Sequence, residues 1–141
     1  MAITMHVDIV SAEEAIYSGP AEMLVASAEN GDIGILPHHS PLLTMLKPGE
    51  VRVVKIGGEP EYYYVSGGML EVLPHTVTVL ADTAMRADSV DEAAAIRAKN
   101  EAQQALKDYS SAVDYARAQA ELAEAVGQLQ TIQRMRKKYG R

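Results

Sequence analysis

Two hydrophobic periodicities divide the chain near Ala87. From Ile3 to Leu80, apolar residues alternate with polar residues or form short apolar runs, and turn-forming residues interrupt them at short intervals. Many short strands at such spacing are typical of a β-sandwich or a β-barrel. The predicted strands cover residues 5–10, 15–17, 22–26, 34–36, 42–46, 50–56, 62–65, 70–73 and 76–81, with tight turns between them, among them 18–20 and 48–49.

After the last predicted strand, the hydrophobic period changes from two residues to about 3.6, and Ala becomes the dominant residue. We predict a first helix that is capped by Asp88 or Ser89 and ends near Lys107. A second helix is predicted from about 113 to 137. Because the polar connector between them is only a few residues long, the two helices should form an antiparallel hairpin.

Each predicted helix has one narrow apolar stripe, in which Ala is frequent. Burying a methyl group contributes roughly 0.8 kcal/mol, against about 1.5 to 3 kcal/mol for a whole Leu side chain. The hairpin should therefore be held weakly, as a movable arm requires. The stripe positions are Val90, Ala94, Ala98, Ala102, Ala105 or Leu106 and Tyr109 in the first helix, and Ala118, Leu122, Ala125, Leu129 and Ile132 in the second.

Composition also separates the two parts of the chain. Up to Ala87 there are eleven acidic and four basic side chains, and the remainder has eight acidic and nine basic ones. The chain contains no Cys, which excludes disulfides and thiolate metal sites. No signal peptide and no run of 18 apolar residues is present, so we expect a soluble cytoplasmic chain that meets the membrane only through a partner.

The end of the chain is strongly basic. The residues concerned are Arg134, Arg136, Lys137, Lys138 and Arg141, with no acidic residue among the last eight. Such charge is common near a helix C-terminus, where it complements the helix dipole and favours solubility. An acidic protein surface is the favoured functional partner. Nucleic acid is not favoured, because the whole chain is acidic and no aromatic platform for base stacking accompanies the basic segment.

Histidines suggest one catalytic alternative, a metal-dependent β-barrel enzyme. His38 and His39 would supply ligands, with His6 or His75 completing the set. Adjacent residues on a strand point to opposite faces, however, so the first two should not reach one ion together. The paired glycines match no phosphate-binding motif, and we therefore expect no active site and no bound metal. A generic adaptor with a helical arm is a third interpretation.

Residues 31–49 read GDIGILPHHSPLLTMLKPG, which closely resembles the segment that marks the epsilon subunit of the bacterial rotary (F-type) ATP synthase. The sequences SGGMLEV at 66–72 and VTVLAD at 77–82 are similar to the end of that family's sandwich. VDYA at 113–116 and AELA at 120–123 resemble the second helix of its proteobacterial members. The resemblance covers essentially the whole chain in the same order.

The resemblance implies an all-β sandwich of two five-stranded sheets over residues 1–87, followed by a regulatory helical hairpin over 88–141. The implied protein is a non-catalytic central-stalk subunit, peripheral to the cytoplasmic face of the bacterial inner membrane. Its sandwich would bind the gamma subunit and the c-subunit ring, with Glu29, Asp32 and His39 at contact positions. His38 differs from the small residue commonly found in that loop.

The resemblance also implies two positions for the hairpin. It would either fold against the sandwich or extend along gamma to the beta and alpha subunits, where it inhibits ATP hydrolysis. In the extended state, an acidic segment of the beta subunits would meet the basic helix end. The residues expected there are Arg134, Arg136, Lys137 and Lys138, with Arg117 as a further candidate.

Some members of that family bind ATP through the motif Ile or Leu, Asp, two residues of any type, Arg and Ala. Residues 90–95 read VDEAAA, so Ala94 stands where the motif has Arg. Asp91 and Arg97, one helical turn beyond the motif position, are the remaining candidates. We predict weak or absent ATP binding and no other cofactor. Isothermal titration calorimetry at micromolar ATP should show no binding heat, and a clear isotherm would contradict the prediction.

Overall fold

A computed structural model describes residues 3–138, which form nine β-strands followed by two α-helices. The elements are β1 (Met5–Val10), β2 (Ala15–Ala21), β3 (Met23–Ala28), β4 (Gly31–Ile35), β5 (Leu42–Val54), β6 (Pro60–Val65), β7 (Gly68–Val72), β8 (Thr76–Ala81), β9 (Ala84–Arg86), α1 (Glu92–Lys107) and α2 (Ala112–Lys138).

The strands form two five-stranded sheets that share β5. The first sheet has the order β2-β1-β8-β7-β5, and residues 42–46 of β5 pair with β7. The second sheet has the order β4-β3-β5-β6-β9, and residues 49–54 of β5 pair with β6. Only β1 and β8 pair in parallel among the described strands. The predicted sandwich of two five-stranded sheets is confirmed.

Two predicted turns are instead part of strands. Pro48 and Gly49 lie within β5, because the chain passes there from the first sheet to the second without leaving the ladder. Gly19 and Pro20 lie within β2, an edge strand, where a proline is tolerated because its missing N–H leaves no partner unpaired. Strand β9 was not predicted, since three residues are too few to show a periodicity.

The sandwich has a hydrophobic core of its own. Its eighteen buried residues all lie between Met5 and Ala81, and both sheets contribute to it. Leu24, Val53 and Leu70 are among those with no exposed surface. The buried residues of the helices, such as Ala102 and Ala125, do not belong to this cluster. The core of the sandwich is therefore complete without the helices.

The predicted end of α1 at Lys107 is confirmed, but the predicted cap is wrong. Ala87–Ser89 forms a short 3-10 turn, so the helix begins later and Asp91 is the N-cap. The Asp91 carboxylate accepts a hydrogen bond from the Ala94 backbone N–H at 3.0 Å. This satisfies one of the N–H groups that a helix start leaves without an intrahelical partner.

The two helices pack as the predicted antiparallel hairpin, and α2 has its predicted stripe. Ala118, Ala125 and Ile132 are buried, and Leu122 and Leu129 are half-buried. The stripe of α1 agrees with the prediction in part: Ala102 is buried and Leu106 half-buried as predicted, but Ala95 is also buried, and Ala98 and Tyr109 are exposed. In the first turn of α1, which begins later than predicted, the buried residue is Ala95 and not the predicted Ala94.

Leu70→Ala should lower the free energy of unfolding by about 2 to 5 kcal/mol, because it removes a fully buried side chain from a packed core. Leu80→Ala is the matched control on the neighbouring strand, where the side chain is 49% exposed. Its cost should be about 0.5 kcal/mol or less. Urea unfolding followed by circular dichroism measures both values, and equal costs would contradict the assignment of this core.

Candidate functional site

The helix α2 lies across the second sheet and contacts β5 and β6. At the centre of this contact, Gly127 lies against the backbone of Pro48 and Gly49. A Cβ atom at position 127 would lie 2.9 Å from the Pro48 carbonyl oxygen and 3.2 Å from the Gly49 nitrogen. The close approach of helix and strand therefore depends on the absence of a side chain at position 127.

Polar groups on either side of Gly127 complete this contact. The buried Thr131 hydroxyl donates to the Gly127 carbonyl oxygen at 2.8 Å, so it is satisfied within the helix. The Tyr64 hydroxyl of β6 donates to the Glu124 carbonyl oxygen at 3.3 Å. Burial raises the pKa of Tyr64, so the hydroxyl remains a proton donor at neutral pH.

A charged cluster lies where the C-terminal end of α2 meets the second sheet. Arg134 Nη1 lies 3.4 Å from Glu50 Oε2 and 3.6 Å from Asp32 Oδ2. Only 5% of the Glu50 side chain is exposed, and its burial raises the pKa of the carboxyl although Arg134 and Arg52 act in the opposite direction. A surface pocket of about 360 Å³ adjoins these residues and is also lined by Lys137.

A second ion pair joins the two helices to each other. Arg136 Nη1 donates to Glu92 Oε1 at 2.9 Å, and its Nη2 donates to Glu92 Oε2, so the pairing is bidentate. Glu92 is the first residue of α1, and Arg136 lies near the end of α2. This pair ties the ends of the hairpin together at its exposed surface.

The predicted rotor-contact residues lie at two separate places. Glu29 is in the turn between β3 and β4, and Asp32 lies at the start of β4. His39 lies beyond the other end of that strand. A five-residue strand spans roughly 16 Å, at about 3.3 Å per residue, so one small contact cannot include all three.

The two adjacent histidines have different surroundings. His38 has a φ of 66°, a left-handed conformation that favours glycine, which explains why a small residue suits this position. Its ring contacts the ring of His75 edge-on at 5.1 Å between centroids. His39 Nδ1 donates to the Ser40 carbonyl oxygen at 2.6 Å. Within residues 3–138, no three His, Cys, Asp or Glu side chains form a group suited to a metal ion.

The predicted cations of the arm are largely engaged with acidic groups of the same chain. Arg134 contacts Glu50 and Asp32, and Arg136 contacts Glu92. The Lys138 side chain and Arg141 lie outside the described residues. Of the two nucleotide candidates, Asp91 caps α1, and Arg97 is exposed on that helix.

An apolar row crosses the outer face of the first sheet. Met45 pairs with Met69, Met69 with Leu80, and Leu80 with Val10 on successive strands. Met45 is 45% and Leu80 49% exposed, and the neighbouring Leu43 is 62% exposed. We call these five residues the apolar row. It lies on a different sheet from the one that α2 covers.

Sequence reasoning did not identify Glu50 or Gly127 as site residues. Glu50 begins a predicted strand. The one feature that sets it apart in the sequence is a charged residue directly before the apolar positions Val51 and Val53. Gly127 interrupts a helical segment otherwise free of Gly and Pro up to residue 139. A glycine in a helix interior lowers helix stability, which indicates a packing or functional reason for its presence.

Comparisons with known proteins agree with this architecture. Residues 4–87 match the family model of the ATP synthase, Delta/Epsilon chain, beta-sandwich domain, and residues 88–133 match its long alpha-helix domain. The ATP synthase epsilon chain of Nitrosococcus oceani is 63% identical over 140 residues, 99% of this chain and 100% of that protein. The Alkalilimnicola ehrlichii epsilon chain is 62% identical over 135 residues, 96% of each.

Solved structures support the fold at lower identity. A chain in the structure of the Euglena gracilis mitochondrial ATP synthase OSCP/F1/c-ring has a TM-score of 0.82 at 19% identity, covering 90% of this chain and 80% of that one. A chain in the Tetrahymena thermophila central stalk/c-ring structure has a TM-score of 0.66 at 12% identity, covering 93% and 98%. No helix among the described residues has the length and hydropathy needed to span a membrane.

The fold defines a β-sandwich module with a helical hairpin docked on one of its sheets. The chain belongs to the ATP synthase delta/epsilon chain family, and its sequence is similar throughout to proteobacterial epsilon chains. It is thus a non-catalytic accessory subunit of ATP synthase. The alternative of a metal-dependent β-barrel enzyme is wrong.

Asp91→Ala should destabilise α1 by about 0.5 to 2 kcal/mol, because it removes the side chain that caps the helix. Asp88→Ala is the matched control, since Asp88 is also acidic and exposed but lies in the preceding 3-10 turn. Amide hydrogen exchange of the first turn of α1 should accelerate only in the first variant. Equal hydrogen-exchange rates of this turn in the two variants, measured with no nucleotide added, would contradict the capping role.

Proposed function

We propose that the chain is a central-stalk subunit that couples the catalytic hexamer to the c ring and inhibits ATP hydrolysis through its helical arm, the hairpin of α1 and α2. The observation that carries this proposal is the separation of the two parts. The core of the sandwich is complete without the helices, and α2 meets the sandwich through Gly127, the Glu124 carbonyl oxygen and Arg134. A sandwich can then remain bound to its partner while the arm moves.

The apolar row on the first sheet suits a permanent protein partner. Exposed Leu43, Met45 and Leu80 form a contiguous surface that would be unfavourable in water but stabilising when covered. We assign this surface to the gamma subunit. The exposed Glu29 turn and the loop that contains His39 remain available for polar contacts with the c ring.

The arm provides the inhibitory part of the proposal. Arg134 contacts Glu50 and Asp32 of the sandwich in the docked position, and these contacts must break before the arm can leave the sheet. Arg136 contacts Glu92 within the arm. Once the arm is released, these two cations and the neighbouring Lys137 and Lys138 would meet the acidic segment of the beta subunits, with alpha subunits nearby. Charge pairs of this kind orient an association and make it sensitive to salt.

The proposed location follows from the complex and not from the chain itself. The subunit would be peripheral at the cytoplasmic face of the bacterial inner membrane, held there only through ATP synthase. No nucleic-acid partner is proposed. Weak or absent ATP binding fits the capping role of Asp91, whose carboxylate is already hydrogen-bonded to Ala94.

Truncation after Ala87 should leave assembly intact and raise the ATP hydrolysis rate of the assembled enzyme, because the sandwich is retained and the arm is lost. Hydrolysis by full-length and truncated complexes measures the effect, and co-purification with gamma measures assembly. In the truncated chain, Leu80→Asp should reduce co-purification with gamma, since it places a charge in the apolar row.

Two results would count against the proposal. Unchanged hydrolysis in a fully assembled truncated complex would contradict the inhibitory arm. Unchanged co-purification of the Leu80→Asp variant would contradict the assignment of the apolar row to gamma. Circular dichroism of the variant sandwich controls for loss of folding.

A further inference from the structure

One buried group has no role in the function proposed above. Glu50 lies on the second sheet, away from the apolar row and in one cluster with Asp32, yet its side chain is only 5% exposed. It lies beside Gly49, which contacts α2 at Gly127. Its carboxylate is thus covered at the place where the arm docks.

We propose that Glu50 and Arg134 form a docking pair: burial of the charged Glu50 carboxylate beneath α2 is tolerated only while the Arg134 guanidinium lies beside it. This inference rests on the proposed movement of the arm and names the contact that regulates it. Arg134 would then have two alternative partners: Glu50 of its own sandwich when docked, and the acidic beta surface when extended.

Burial makes the pairing conditional. Removing a carboxylate from water costs several kcal/mol unless a cation and hydrogen bonds compensate for it. Arg134 Nη1 lies 3.4 Å from the Glu50 carboxylate and belongs to the arm, whereas Arg52 belongs to the sandwich and stays in place. Asp32 opposes the Glu50 charge and also contacts Arg134, and Lys137 lines the adjoining pocket.

After release of the arm, neither charge is buried without a partner. When α2 leaves the sheet, Glu50 regains water, and Arg134 passes into solvent or onto another acidic surface. The pair therefore contributes little net stability to docking but penalises any docked position in which the two groups fail to meet. Such a contact specifies one docked position and still allows detachment.

The competing interpretation is that the close packing of Gly127 against β5 holds the arm alone, with Arg134 as an incidental surface cation. The two interpretations differ in a double substitution. If burial of an unpaired Glu50 is the penalty, then removing Arg134 alone should release the arm. Replacing both groups by apolar residues of similar length should restore docking, because no buried charge remains.

Because the chain has no Cys, a single reporter cysteine can measure release. Thr131 is fully buried on the face of α2 that includes Gly127, one helical turn away, so Thr131→Cys should react with a thiol reagent mainly when the arm leaves the sheet. The labelling rate then reports the undocked fraction of the isolated full-length chain. The rate is compared among variants that all contain this cysteine.

Arg134→Met should raise the labelling rate at least about tenfold. Glu50→Met with Arg134→Met should return it to within about twofold of the parent, and Glu50→Met alone should also stay within that range. Arg117→Met is the matched control, since Arg117 is an exposed cation of α2 far along the helix, and its rate should not change. Circular dichroism and the urea midpoint of the sandwich confirm that each variant is folded.

An unchanged rate in Arg134→Met would overturn the docking pair. So would a double variant that labels as fast as Arg134→Met, because the effect would then not depend on the Glu50 charge. These outcomes are independent of the truncation experiment. If truncation fails to raise hydrolysis while Arg134→Met labels fast, the inhibitory arm is wrong and the docking pair remains.

Discussion

The contact between α2 and β5 brings two backbones close together but buries little side-chain volume. Because of this contact, the sandwich and the helical arm are two separate parts of the molecule. Gly127 lies directly against the Pro48–Gly49 backbone, and the residues buried along the arm are mostly Ala. A contact built from Leu side chains would contribute about 1.5 to 3 kcal/mol for each one buried. Here the helix approaches closely without inserting large side chains into the sandwich. The core of the sandwich is thereby complete on its own, and the arm can be removed without opening it.

Charge selects the docked position at this contact, although it contributes little net stability. The sandwich carries the acidic excess of the chain, with eleven acidic against four basic side chains, and the last eight residues carry five basic side chains and no acidic one. Arg134 and Arg136 find acidic partners on the sandwich and on α1, respectively. A cation can exchange one carboxylate for water or for another acidic surface, whereas a tightly packed apolar contact has no such substitute. A docked state held by exchangeable charges is compatible with a second state held by the same cations elsewhere.

The sequence predicts elements well where the pattern is local. The strand at Met5–Val10, the end of α1 at Lys107 and the stripe of α2 are each specified by neighbouring residues. Predictions fail where tertiary structure decides. Pro48 continues a strand because β5 changes sheets, and three-residue β9 exists because β6 offers it an edge. Glu50 could not be recognised from its strand, since its partner Arg134 comes from α2, far along the chain. The cations of the arm could be predicted as a set, but not their partners.

Strand β5 connects the two surfaces on which the subunit depends. Its first half places Leu43 and Met45 in the apolar row, and its second half presents Gly49 and Glu50 to the arm. Because the halves belong to different sheets, a partner covering the first sheet need not displace α2 from the second. Because they belong to one strand, the distance between the two surfaces is fixed by a continuous backbone ladder. The sandwich can therefore hold a partner rigidly on one sheet while the other sheet binds and releases the arm.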